Sequence, residues 1–225
     1  VVLAERARPA SLEPALTAAG ARPLRAGREW SWTLAAAELA VTSARGRRFT
    51  VPLPEALEPA NVAAALCAVD ELLTLPPGAA VRALEGLVVP GRRERQPLGS
   101  GELWLDVAHN PDAAAGLAAA LARAPAGTTH GLCAIMADKD LAGIFAALAP
   151  QLDSLVICGL PGNTRAAPLE RLAAAAGAAG VACVQPAADL ETGWQLLEPR
   201  VAGGARGVVF GSFFTVAGIM PQLAN

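Results

Sequence analysis

The sequence predicts an α/β protein: a Rossmann-like, mostly parallel sheet covered by helices, preceded by a smaller α+β segment. Three observations carry that prediction. From about residue 89 onward, short and continuously apolar runs alternate with alanine-rich stretches. Strands apolar on both faces and separated by helices are what a parallel sheet buried on both sides requires. Before that point, apolar runs at 30–34, 39–42 and 49–54 follow one another with no helix between them, the pattern of an antiparallel patch. Between the two regimes lies Val88-Val-Pro-Gly-Arg92, whose Pro-Gly pair forces a turn. The expected division is therefore 1–88 and 89–225, the second of ordinary size for one domain.

The elements follow in order. Val1 to Ala4 closes a strand, and Ser11 caps a short helix that Gly20 stops. After the antiparallel runs, Glu58-Pro-Ala-Asn61 opens a helix reaching Leu73, with Asn61 at or near its cap. Pro76-Pro-Gly78 interrupts the chain before another short helix at 79–87. In the second region strands are expected at 103–107, 131–136, 154–159, 182–185 and 207–210. Helices are expected at 112–123, 140–151, 168–176, 189–201 and from about 214 to 223.

The chain is organised around Leu103-Trp-Leu-Asp-Val-Ala-His-Asn-Pro-Asp112. Here an apolar strand ends in polar residues and turns directly into a helix, with Asn110 as cap and Pro111 at the first helical position. Such a turn aims unsatisfied N–H groups at the space above the sheet, where open α/β folds keep their ligands. Asp106 stands at the strand end and His109 in the turn. Two other strand ends carry polar punctuation, Ala137-Asp-Lys-Asp140 and Gly211-Ser-Phe213. Topology alone would bring all three to one edge. Lys139 is the only lysine of a chain that otherwise uses arginine, which marks it as a point charge for phosphate or carboxylate. The bland readings are a capping asparagine, a structural turn histidine and an exposed loop lysine.

Bulk properties exclude several classes. With 53% hydrophobic and 17% charged residues the chain is globular. A net charge of −2 implies no broad nucleic-acid surface, and no apolar run reaches the length of a membrane span. The four cysteines, none in a Cys-x-x-Cys pair, read as buried free thiols of a reducing, cytoplasmic compartment. A Gly-x-Gly-x-x-Gly fingerprint after the first strand, a Gly-x-x-x-x-Gly-Lys-Ser/Thr loop and a Gly-x-Ser-x-Gly elbow are all absent from these letters. The two histidines do not have metal-ligand spacing, so no metal site is expected in this chain.

Leu105-Asp-Val-Ala-His-Asn-Pro111 resembles the signature of folylpolyglutamate synthase/dihydrofolate synthase, a branch of the Mur ligase superfamily. Further matches run in the same order: Leu53-Pro54 with Pro59 and Asn61, Pro90-Gly-Arg92, Met136-Ala-Asp-Lys-Asp140, and Val209-Phe-Gly-Ser-Phe213 with Thr215-Val216. Two departures occur: Phe214 replaces the His or Tyr common in relatives, and Asn163-Thr-Arg165 is a loose version of their Arg-containing loop. The resemblance implies that 1–88 is the closing segment of a P-loop ATPase domain and 89–225 the Rossmann-like C-terminal ligase domain. It implies an ATP-dependent ligase that joins L-glutamate to dihydropteroate, or to tetrahydrofolate and its polyglutamates, through an acyl phosphate. The P-loop, the folate-binding loops and the ligands of Mg2+ would lie upstream, and the chain alone would be inactive. By the same resemblance Asn61 would contact adenine, Arg92 the phosphates and Asp106 the ribose. His109 would act near the reacting phosphate, and Lys139 and Ser212 would hold glutamate. The alternatives are another Mur-type amino-acid ligase, or a non-catalytic Rossmann-like nucleotide- or anion-binding module.

Overall fold

The computed structural model describes residues 1–4, 9–124 and 127–223, which divide into two compact units, Val1–Val88 and Val89–Asn225. In the first unit, strand β1 (Val2–Leu3), helix α1 (Leu12–Ala18) and strand β2 (Leu24–Arg25) lead into β3 (Ser31–Ala35), β4 (Glu38–Thr42) and β5 (Arg48–Pro52). Helices α2 (Pro59–Leu72) and α3 (Pro77–Leu84) complete it. β1 and β2 pair in parallel, and β3-β4-β5 form an antiparallel meander. Alternation along β4 and β5 turns Leu39, Val41, Phe49 and Val51 inward, where they pack with Val62, Ala63, Leu66 and Cys67 of α2 and Ala80 of α3. A carboxylate lies inside this unit. Asp70 is fully buried and accepts from Ser43 Oγ at 2.7 Å, from the Leu75 N–H at 3.4 Å and from the Arg47 guanidinium. Burial pushes its pKa up, but Arg47 and Ser43 outweigh that and hold it below the usual carboxylate value.

The second unit opens with strands β6 (Glu94–Leu98) and β7 (Gly101–Leu105), then alternates: α4 (Pro111–Arg123), β8 (Thr129–Cys133), α5 (Leu141–Leu148), β9 (Ser154–Cys158), α6 (Leu169–Ala178), β10 (Val184–Ala187), α7 (Leu190–Ala202), β11 (Arg206–Phe210) and α8 (Phe213–Ile219). Short 3-10 turns extend α5 through Gln151 and α8 through Leu223. The six-stranded sheet has the order β10-β9-β8-β11-β7-β6, parallel except for β6. Each central strand feeds two cores. Trp104, Cys133, Leu155, Ile157, Val208 and Phe210 face α4, α5 and α6, while Leu103, Leu105, Leu132, Val156, Cys158 and Val209 face α7 and α8. That alternation is why these strands read as apolar throughout.

The expected parallel strands and intervening helices are all present, with ends shifted by one to three residues once the 3-10 turns are counted. The clearest shift is at 103–107, where the strand stops at Leu105 and the Val107 N–H leaves the ladder for the Gly91 carbonyl at 2.8 Å. Three features depart from the sequence reading. β6 was not expected, because Glu94-Arg-Gln-Pro-Leu98 carries one apolar residue at its end; Pro97 is tolerated there because β6 is an edge strand. β2, only two residues long, was not expected either. Asn61, expected at or near the cap of α2, lies near it. Glu58 precedes Pro59 at the first helical position, leaving Asn61 exposed within the first turn. Cys183 is exposed, since it precedes the other edge strand, β10; the remaining three cysteines are buried.

Two predictions follow from packing. A Cβ at position 193, where α7 crosses β9, would lie 2.2 Å from Cys158 Sγ. Gly193→Ala should therefore lower stability by about 1–3 kcal/mol in urea unfolding, and Cys158→Ala in the same chain should recover part of that loss. Strictly additive costs would show that α7 moves freely over the sheet. Asp70→Ala strands the Arg47 charge and should cost about 3 kcal/mol. Because the Asp70 pKa is depressed, its contribution is in place above the ordinary aspartate value and disappears as pH falls through its own lower value. The stability gap between the parent chain and Asp70→Asn should narrow over that acid range.

Candidate functional site

Strands β8, β11 and β7 are neighbours, with Val209 paired to both Leu105 and Leu132. The loops that follow them therefore leave the sheet side by side at its carboxyl edge. They carry Asp106 and His109, then Asp138, Lys139 and Asp140, then Ser212 and Phe213. β6 runs antiparallel to β7, with Glu94 opposite Leu105. Its entry loop, Pro90–Arg93, thus arrives at the same edge and brings Arg92 with it.

Asp106 joins two of these segments. It is 5% exposed, and its Oδ1 accepts from the Ala108 N–H at 2.7 Å while Oδ2 accepts from the Arg93 N–H at 3.0 Å. Its own N–H continues the ladder to Val209 O at 2.9 Å. The loop it grips is sharply bent: Gly91 and Arg93 both have left-handed backbones, φ 66° and 45°. Glu94 Oε2 accepts from the Gly91 N–H at 2.8 Å. Burial pushes the Asp106 pKa above the ordinary value, against the pull of the Arg93 and Ala108 N–H groups and the charges of Arg92 and Arg93. Two of the four lone-pair positions of a carboxylate remain for a hydroxyl donor.

His109 follows in the turn. Its Nδ1 lies 2.8 Å from the Val107 carbonyl, which can only accept, so Nδ1 carries a hydrogen and the neutral form of the ring has its lone pair on Nε2. The ring is tilted 44° to Phe213 at 6.4 Å between centroids, and the Arg92 guanidinium carbon lies 5.8 Å from the same ring. Asn110 caps α4 through the Ala113 N–H at 2.8 Å, and Pro111 occupies the first helical position, as the sequence implied.

In the next loop Asp140 caps α5 through the Gly143 N–H at 2.9 Å. Lys139 Nζ lies 3.1 Å from Asp138, which also faces Arg165 at 3.6 Å. The Lys139 hydrogen bond and charge hold the Asp138 carboxyl below its usual range. Ser212 is 5% exposed and caps α8 through the Thr215 N–H at 3.0 Å. Thr215 Oγ1 donates to Ala134 O at 2.7 Å, so the contact between the two hydroxyls, also 2.7 Å, uses the Ser212 hydrogen. This chain of bonds ties the start of α8 to the end of β8.

Five of the six sequence-derived candidates therefore share one unit and one sheet edge: Arg92, Asp106, His109, Lys139 and Ser212. Asn61 belongs to the other unit. Three contributors were missed from sequence: Glu94, Phe213 as the ring between Arg92 and His109, and Thr215. Phe213 and Thr215 did stand within the quoted matches, though with no role assigned, and Thr215 left a further signal, a hydroxyl three residues after a capping serine. Among the described residues no three His, Cys, Asp or Glu side chains are grouped to hold a metal ion, and no helix is long and apolar enough to cross a membrane.

Comparison with known proteins gives a consistent outcome. Residues 91–213 match the family described as Mur ligase, glutamate ligase domain. A dihydrofolate synthase/folylpolyglutamate synthase of Mycobacterium tuberculosis is 41% identical over 102 residues, which are 44% of this chain and 20% of that protein. E. coli FolC solved with DHPP and ADP superposes with a TM-score of 0.82 at 25% identity, covering 100% of this chain and 53% of that one. A bifunctional folylpolyglutamate synthase/dihydrofolate synthase with Mn, AMPPNP and L-glutamate bound is also similar, with a TM-score of 0.82, 30% identity and the same two coverages. The chain thus spans about half the length of these solved relatives. With its match extending from the bent loop at Gly91 to the start of α8, the chain belongs to the Mur ligase family through its glutamate ligase domain.

Proposed function

We propose that this chain supplies the C-terminal part of an ATP-dependent amide ligase that adds L-glutamate to dihydropteroate, to folylpolyglutamate, or to both. In that reaction a substrate carboxylate oxygen attacks the γ-phosphorus of ATP and ADP leaves, giving an acyl phosphate. The amine of glutamate, having shed a proton, attacks the acyl carbon; phosphate leaves and an amide remains. The observation that carries the reading is the convergence of Asp106, His109, Lys139 and Ser212 on adjacent strand ends of a glutamate ligase domain. Such chemistry depends on positioning and charge neutralisation.

In this reading Asp106 accepts from ribose hydroxyls with its remaining lone pairs, and Arg92 meets the phosphates beside it. His109 Nε2 receives the proton that the glutamate amine sheds. Lys139 pairs with a glutamate carboxylate, and Ser212 donates to one after its hydroxyl turns away from Thr215. Asn61, exposed on the first turn of α2, contacts adenine. ADP, AMPPNP, Mn and L-glutamate in the similar structures support this set of ligands. The metal, Mg2+ in this reading, would be held mainly by an ATPase domain, and when bound it neutralises phosphate charge. The first unit would be the closing part of that domain. The end of α2 and the residue after it, Leu72 and Leu73, are 82% and 68% exposed, and the two-residue parallel pair β1-β2 is too short to stand as a sheet.

Two tests follow. Residues 1–225 alone should give no glutamate-dependent ATP turnover, and turnover by that chain would refute the division of labour. In a polypeptide joining this chain to a P-loop domain, Asp106→Ala should raise the KM for ATP about tenfold and Ser212→Ala the KM for L-glutamate about fivefold. These correspond to roughly 1.4 and 1 kcal/mol, the size of one hydrogen bond each. Negligible and equal effects from both would sink the roles given.

A further inference from the structure

A groove of about 480 Å3 opens between the loop after β8 and helix α6. Lys139 contributes one wall and Arg171 the other, over the methyl groups of Ala142, Ala174 and Ala175. We propose that this groove is a polycarboxylate subsite, with Arg171 as its second cation and a γ-linked glutamyl chain as its occupant. The identity of that occupant rests on the ligase reading above; the site itself rests on charge and shape.

The charges around the groove do not cancel. Lys139 faces Asp138 at 3.1 Å, and Asp138 is matched a second time by Arg165 at 3.6 Å. Asp140, the one carboxylate lining the groove, is engaged in capping α5. Arg171 makes one long hydrogen bond, to the Ala137 carbonyl at 3.4 Å, and no carboxylate lies within ion-pair distance of it among the described residues. That bond ties the guanidinium to the loop that carries Lys139, and it leaves four of five N–H donors for a ligand. The groove is open along its length rather than enclosed, so an extended ligand can lie along it. A floor of alanine methyls fits the methylene pairs of a γ-glutamyl backbone, whose α-carboxylates project at intervals toward cations.

The test is a titration of the isotope-labelled full chain with L-glutamate and with γ-linked triglutamate, followed by NMR. Triglutamate should perturb Lys139, Arg171 and Ala174 and bind about tenfold more tightly than glutamate, as expected for one added charge-assisted contact. Arg171→Gln should remove most of that advantage, and Arg171→Lys should restore part of it. Arg171 is exposed on a helix, so a preserved spectrum outside the groove verifies that each variant folds. Equal affinity for the two ligands, undiminished triglutamate binding by Arg171→Gln, or perturbations confined to other parts of the chain would each overturn the proposal. Failure of the ligase reading would show elsewhere, as absence of glutamate-dependent ATP turnover in the joined polypeptide with the titration unchanged.

Discussion

The site depends on one buried carboxylate. Asp106 stands where β7 ends, and its two oxygens take the N–H groups of Ala108 and Arg93. One bond shapes the turn toward His109; the other pulls the entry loop of β6 against it. Taking a carboxylate out of water costs several kcal/mol, while a hydrogen bond to a charged group returns about 1.5–3 kcal/mol. The raised pKa of Asp106 shows burial prevailing over the hydrogen bonds. The ionised carboxylate is thus held at a cost in solvation. What it secures is the position of Arg92, held between two left-handed residues, at the mouth of the sheet.

The topology explains why such different stretches meet. The chain leaves β7 for β8 and passes over the gap between them, then builds outward through β9 and β10. It returns to fill the gap with β11. Sequence neighbours β7 and β8 are thereby separated by the last strand, and a topological switch point forms around β11, where open α/β sheets bind ligands. Helices α4, α5 and α6 cover one face and α7 and α8 the other, so neither core intrudes on the rim. Gly193 allows α7 to lie directly on β9.

Much of this was legible in the letters, for identifiable reasons. Strands buried on both faces announce themselves by unbroken apolarity, and each helix after β7, β8, β10 and β11 begins at a side chain that caps it: Asn110, Asp140, Asp189 and Ser212. The order of strands within a sheet leaves no local trace, yet Asp106, Lys139 and Ser212 were placed together because parallel strands share a carboxyl end. Local pattern failed at the edges. β6 pairs on one side only and needs few apolar residues, so Glu94-Arg-Gln-Pro-Leu98 resembles a linker. Cys183 was misjudged for the same reason at the opposite edge. Asn61 was placed at or near the cap of α2 because asparagine favours that place, and it lies in the first turn, behind Pro59 at the first helical position. The ties of Glu94 to Gly91 and of Asp70 to Ser43 and Arg47 depend on contacts the letters do not encode.

The rim's polar groups divide by how they are held. Asp106, Asn110, Asp140 and Ser212 are bound to backbone N–H groups of their own loops. Their positions are set during folding, and little conformational entropy remains for a ligand to remove from them. Arg92 and Lys139 are partly exposed and held by softer contacts, a ring face at 5.8 Å and a solvent-facing carboxylate. Their long side chains keep rotamer freedom. A fixed frame carrying two adjustable cations suits phosphates and carboxylates whose charge shifts as bonds form and break. The frame sets direction through hydrogen bonds that need no reorganisation, and the cations follow the charge. Ser212 lies at the boundary between the two groups. Its hydroxyl hydrogen is engaged with Thr215, and only rotation about one bond separates that internal link from a donor aimed at a ligand.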